Sequence, residues 1–293
     1  MYDMKALYEA KSVPDAISLL QEHPGARILA GGSDVLVQLR EGKLAGLEFV
    51  SIFKLDELRG VSLEQDGTMR ILPLTSFSHV ARDPIVNRCV RVLAEAVDKV
   101  GGPQVRNIGT IGGNICNGVT SADSASTLVA YDAVVEVTGP EGVRQLPISE
   151  WYVGAGKVAL RPAELLTAIL IKKESYEGYA GFYIKYAMRN AMDIATLGCS
   201  VNVKLSGDKK TVADARVAYG VAGPVPMRAK SAEEAARGKP VSEETVEAAA
   251  QAALADVNPR TSWRATKEFR LHLVEELARR ALKEAINRAG GEI

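Results

Sequence analysis

Two glycine-rich turns, Gly31-Gly32-Ser33-Asp34 and Gly109-Thr110-Ile111-Gly112-Gly113-Asn114, have the residue types needed to hold a phosphate group through main-chain N–H groups. The second lies within residues 101–126, a stretch with six glycines and only two charges, Arg106 and Asp123. Such a segment loses much backbone entropy on ordering, so in a folded protein it signals close approach of backbone to something else. The bland alternative is a long mobile surface loop. No GxGxxG follows the first strand and no GxxxxGK precedes Ser or Thr, which argues against a Rossmann site and a P-loop. The remaining reading is a site in which two separated turns donate N–H groups to one diphosphate while Asn and Asp side chains select sugar hydroxyls. Asp123 either accepts from a ribose hydroxyl or adenine amino group, or caps the helix that follows it.

Other chemistries lack their residues. Cys89, Cys116 and Cys199 have no CxxC spacing, so an iron–sulfur cluster or zinc site must sit on another chain. His23, His79 and His272 are equally scattered, which argues against hydrolase or metalloenzyme chemistry. No catalytic residue and no metal ligand is assigned. Lys and Arg total 36 and Asp and Glu total 36, so no overall field draws the chain to nucleic acid or anionic membrane. The N-terminal MYDMKALYEAK has no apolar core and no later run is long enough to span a bilayer, giving a cytoplasmic expectation.

The elements that must position the turns read as follows. Ser12 caps a short helix over 12–21, with Pro14 in its first turn. Arg27 to Ala30 is a brief strand, the glycine turn follows, and Val35, Leu36 and Leu39 resume at helical spacing. Residues 61–64 and 69–72 alternate around Asp66-Gly67 as a hairpin. One helix runs from Asp83-Pro84 to Val100 and delivers the chain to the second glycine stretch. Residues 124–131 are helical, 134–138 and 143–147 form another hairpin, and 165–171 is a buried strand. After the polar segment 172–179, strands over 194–205 and 214–221 precede helices over 243–255 and 267–289, an α+β module.

Four segments, Ile28 to Lys43, Gly102 to Ser126, Lys185 to Cys199 and Pro259 to Leu273, resemble the FAD-binding subunits of bacterial xanthine dehydrogenases. These belong to the medium, flavin-carrying subunits of molybdenum hydroxylases, and the resemblance covers essentially the whole chain. It implies an α+β fold in which a two-lobed FAD-binding module of the vanillyl-alcohol-oxidase (PCMH) type spans residues 1–176, with lobes of about 1–52 and 53–176. A CO-dehydrogenase-flavoprotein-like C-terminal α+β domain would span 177–293.

The resemblance implies that Ile28, Leu29, Ala30, Gly31, Gly32, Ser33, Asp34 and Val35, together with Thr110, Ile111, Gly112, Gly113 and Asn114, bind the diphosphate. Asn117 and Asp123 would approach the ribose and adenine side, and Leu166 and Lys185 the isoalloxazine. Eukaryotic relatives place an aromatic ring against the flavin where this chain has Val100, which offers aliphatic contact. A cation such as Lys185 beside the ring would favour the reduced flavin.

The implied partners are a large molybdopterin-binding subunit and a small subunit with 2Fe-2S clusters, with NAD as electron acceptor and no general acid or base required. Within the class, the alternative is the medium subunit of a CO, aldehyde or nicotine dehydrogenase. The 4-hydroxybenzoyl-CoA reductase type needs cluster cysteines that this chain lacks. Outside it, the alternative is a nucleotide-binding assembly scaffold.

Overall fold

The structure, a computed structural model, describes residues 3–293. Three main β-sheets follow one another along the chain, each made by one contiguous segment. The first segment contains β1 (Met4–Glu9), α1 (Val13–Glu22), β2 (Arg27–Leu29), α2 (Val35–Arg40) and β3 (Leu47–Ser51). Its strands pair in parallel in the order β1-β3-β2. Ser12 Oγ accepts from the Asp15 amide at the start of α1, as its sequence predicts. Ala16 and Leu20 of that helix bury against Val50 and Ile52.

The second segment runs through β4 (Val61–Leu63), β5 (Met69–Ile71), α3 (Phe77–Arg82), α4 (Pro84–Cys89), α5 (Arg91–Val97), α6 (Pro103–Ile108), α7 (Ile111–Cys116) and α8 (Asp123–Ala130). It continues with β6 (Val134–Gly139), β7 (Gly142–Pro147), α9 (Ile148–Trp151), a small hairpin of β8 (Tyr152–Gly154) and β9 (Lys157–Val158), and β10 (Leu165–Ile171). The five-stranded antiparallel sheet has the order β4-β5-β10-β6-β7. Asp66 Oδ1 accepts from the Thr68 amide at 2.8 Å, fixing the β4–β5 turn.

The structure departs from the sequence reading of this segment in one place and decides an alternative in another. The single helix over 83–100 is two, because Val90 leaves the helical region (φ −139°, ψ 49°) while its buried side chain joins Val86 and Leu93 in the core. The glycine stretch is not the mobile loop of the alternative reading, since α6 and α7 form within it. Thr110 Oγ1 caps α7 by accepting from the Gly113 amide, and Ile111 and Ile115 are fully buried, so tertiary anchoring overrides the low helix propensity of Gly and Asn.

The third segment begins at α10 (Lys173–Tyr176) and continues through β11 (Ala180–Tyr186), β12 (Leu197–Leu205), β13 (Val212–Gly220), β14 (Met227–Arg228), α11 (Lys230–Ala236), α12 (Glu243–Ala252) and α13 (Lys267–Arg288). The antiparallel sheet β11-β12-β13-β14 packs one face on α11 and α13, which α12 covers in turn, with Leu197, Cys199, Val201 and Val203 of β12 pointing into that layer. The alternate residues face α8 of the second segment, where Asn202 Nδ2 donates to Ala130 O at 3.2 Å. All eight residues of α8 are buried as a result, although four of them are Asp, Ser or Thr. The strand expected from Ile194 starts at Leu197, and Ile194 is half-exposed. β1, β11 and α11 carry no strong sequence signal.

Candidate functional site

A cavity of about 370 Å³ opens between the first and second segments. Of the eighteen residues singled out above, Ile28, Ala30, Gly31 to Val35, Val100, Thr110, Gly112 to Asn114, Asn117 and Leu166 line it. The first glycine turn leaves β2 and enters α2, and Gly32 takes a φ of +71°, a conformation that favours glycine. In this turn the N–H groups of Gly31, Gly32, Ser33, Asp34 and Val35 donate to no acceptor among the described residues. Backbone donors need a partner, and five consecutive ones beside a cavity form a receptor for a polyvalent anion. The Asp34 carboxylate is turned to Gln38 Nε2 on the exposed side.

The second turn works differently from the expectation that both turns donate amides. Ile111 N–H donates to Thr75 O at 3.0 Å, Gly112 N–H to Pro73 O at 2.9 Å, Gly113 N–H to Thr110 Oγ1 at 3.1 Å and Asn114 N–H to Thr110 O at 3.0 Å. Its contribution is therefore shape, side chains and one amide, that of Thr110, which donates to no acceptor among the described residues. The Asn114 oxygen accepts from Ser124 Oγ at 2.6 Å, which leaves the Asn114 amino group to face the cavity. The two turns also touch, because a Cβ on Gly31 would lie 1.9 Å from Ile108 O. Gly31 is required where the first and second segments meet.

Leu29, Ile111, Asp123 and Lys185 do not line the cavity. Leu29 packs on Leu39, Leu44 and Phe49, and Ile111 is fully buried in the main core. Asp123 and Lys185 form an ion pair at 2.8 Å with both side chains nearly buried. Tyr183 Oη donates to the other Asp123 oxygen at 2.6 Å, and Lys185 Nζ donates to Lys99 O at 2.9 Å, one residue before cavity-lining Val100. The contact is incompatible with placing Asp123 at the adenine side and Lys185 at the isoalloxazine side together. Two groups in direct contact cannot serve opposite ends of an extended dinucleotide. Nor does the Asp123 side chain cap α8, of which it is the first residue. Burial pushes the Asp123 carboxyl above its ordinary value, against the pull of Lys185 and Tyr183 in the other direction.

Sequence reasoning missed Arg27, Phe77 and Leu165, which also line the cavity. Arg27 has no ion-pair partner among the described residues and sits where a diphosphate would need countercharge. Only its place just before the glycine turn could have drawn attention to it.

The residues present fit FAD: a run of free amides and Arg27 for the diphosphate, amide side chains at Asn114 and Asn117 for hydroxyls, and Val100 and Leu166 for an apolar ring. Fold and cavity together define a two-domain dinucleotide-binding flavoprotein. Residues 2–172 match the family described as the FAD binding domain in molybdopterin dehydrogenase, and residues 182–285 match the CO dehydrogenase flavoprotein C-terminal domain. The chain is 43% identical over 293 residues, 100% of each chain, to the xanthine dehydrogenase FAD-binding subunit of Escherichia coli O157:H7. It is 30% identical to the nicotinate dehydrogenase FAD-subunit of Eubacterium barkeri over 246 residues, 82% of each chain. Among solved structures, a carbon monoxide dehydrogenase chain from Hydrogenophaga pseudoflava superposes with a TM-score of 0.93 at 31% identity, covering 98% of this chain and 99% of that one. The chain belongs to the family of medium, FAD-binding subunits of molybdenum hydroxylases, and its α+β fold is the one the resemblance implies.

Proposed function

We propose that this chain is the electron-transfer subunit of a cytoplasmic xanthine dehydrogenase-type complex. It would take electrons from 2Fe-2S clusters on a small partner, themselves supplied by a large molybdopterin-binding partner, and pass them to NAD+. The observation that carries this reading is the run of five free amides beside an interlobe cavity, in a chain alike from end to end to a xanthine dehydrogenase FAD-binding subunit. Bound FAD supplies the redox chemistry, since it accepts electrons singly and releases them in pairs.

The chain's own part is to bind and orient. Gly31 to Val35 and Arg27 hold the diphosphate, Thr110, Asn114 and Asn117 take up polar groups beside it, and Val100 and Leu166 offer aliphatic surface to the ring. Lys185, braced by Asp123 and Lys99 O, keeps a cation behind Val100. The higher identity to the xanthine-type subunit than to the nicotinate-type one favours the former.

Purified with its partners, the protein is expected to be yellow and to carry iron–sulfur absorbance. Under anaerobic conditions NADH should bleach the flavin band within the mixing time of a manual assay. Bleaching by dithionite but not by NADH would remove NAD as the acceptor.

Further support would come from gentle purification of the tagged chain out of its native host, which is expected to bring both partners with it. Isolation of the chain alone would contradict the assembly.

A further inference from the structure

Tyr183 and Lys185 stand two residues apart on β11, so both side chains leave the same face of the C-terminal sheet. That face meets the first residue of α8, and the result is a buried chain of hydrogen bonds: Tyr183 Oη to Asp123 Oδ1 at 2.6 Å, then Lys185 Nζ to Asp123 Oδ2 at 2.8 Å and to Lys99 O at 2.9 Å. Tyr183 is 2% exposed and Asp123 5% exposed, so water satisfies neither.

The neighbouring strand is built around this hydroxyl. Gly198 of β12, paired with Lys185, would carry its Cβ only 2.9 Å from Tyr183 Oη. A glycine with no positive φ is thus reserved for an oxygen that a phenylalanine would not have. The other titratable groups facing the cluster are Lys99, from the segment after α5, and Cys199, from β12. Burial pushes the Cys199 thiol up to about 12, so it stays neutral.

We propose that Tyr183 is a positioning residue of the flavin site: through Asp123 it fixes the Lys185 ammonium against Lys99 O and so sets the net charge beside the cofactor. The proposal rests on the FAD reading given above. A buried carboxylate is kept ionised by the donors it accepts from, and Tyr183 supplies one of two. With Asp123 ionised, the Asp123–Lys185 pair is neutral overall. Should Asp123 take up a proton, the ammonium stands uncompensated, and a positive charge beside the ring favours the reduced cofactor.

The sign follows from there. Removing the Tyr183 hydroxyl raises the pH at which Asp123 takes up a proton, so the midpoint potential of bound FAD departs upward from the wild-type curve as pH falls. The departure vanishes at high pH, where Asp123 is ionised in both proteins.

The experiment is a spectroelectrochemical titration of bound FAD against pH, in the assembled complex, for wild type, Tyr183→Phe, Gly198→Ala and Asp123→Asn. Tyr183→Phe is expected to hold FAD and to show the upward departure at low pH. Gly198→Ala should do the same, since it displaces the hydroxyl without deleting it. Asp123→Asn should raise the potential at every pH, with no added pH dependence. Curves for Tyr183→Phe and Gly198→Ala that superimpose on wild type, in protein with full flavin, would overturn this proposal alone. Wild-type protein that takes up no flavin would overturn the cavity reading and this proposal with it.

Discussion

Gly31→Ala is expected to strip most of the FAD from the purified protein. The new Cβ would stand 1.9 Å from Ile108 O, and 2.8 Å from its carbonyl carbon, so main chain must move and no side-chain adjustment suffices. Forcing that movement separates the two lobes at the point where the free amides of residues 31–35 face the cavity. Overpacking of this kind costs about 1–3 kcal/mol, which corresponds to a loss of affinity of roughly five- to 150-fold if it is expressed in binding. Gly113→Val serves as the contrasting variant. A Cβ there meets side chains alone, Thr110 Oγ1 at 2.9 Å and Ala30 Cβ at 4.0 Å, at a residue that lines the cavity. It should lower flavin content with little loss of thermal stability, whereas Gly31→Ala should lower both. The ratio of flavin absorbance to protein, read beside the melting temperature, checks each. Full occupancy in both variants would contradict the site assignment.

The second large effect is expected at Asp123→Ala. The substitution leaves the Lys185 ammonium, whose side chain is 9% exposed, without its countercharge and leaves the buried Tyr183 hydroxyl without its acceptor. Breaking one side of a buried pair costs about 3–5 kcal/mol, because the surviving charge keeps its desolvation penalty. The damage falls on the seam between α8 and the β11–β12 face, which joins the FAD-binding domain to the C-terminal domain. A fall in melting temperature of roughly 5–10 °C is expected, together with loss of flavin. The double variant Asp123→Ala, Lys185→Met should recover much of the stability but not the wild-type flavin potential. Equal stability of wild type and the single variant would show that the pair does not hold the seam.

The first glycine turn was legible because strand, Gly-Gly-Ser-Asp and helical spacing follow one another within a dozen residues, and each local preference agrees with the fold. What the sequence hid is the reason for Gly31. A missing side chain looks the same whether a ligand or another loop fills its place, and here the neighbour is Ile108 O. The same ambiguity covers the second turn, where the N–H groups of Ile111 to Asn114 go to Thr75, Pro73 and Thr110 and only that of Thr110 stays free among the described residues. α6 and α7 were illegible because Pro, Gly and Asn argue against helix; Thr110 and the buried Ile111 and Ile115 decide the matter through contacts distant in sequence. Lys185 reads as an ordinary strand lysine, and only the packing of β11 on α8 brings it to Asp123. Arg27 carries no periodic signal at all.

The account stands most directly on where the diphosphate lies, and diffraction from crystals of the FAD-loaded protein would locate it. Phosphate oxygens about 2.7–3.2 Å from the main-chain nitrogens of the Gly32 to Val35 run are the predicted result. A cofactor bound elsewhere, with those nitrogens facing solvent, would contradict it.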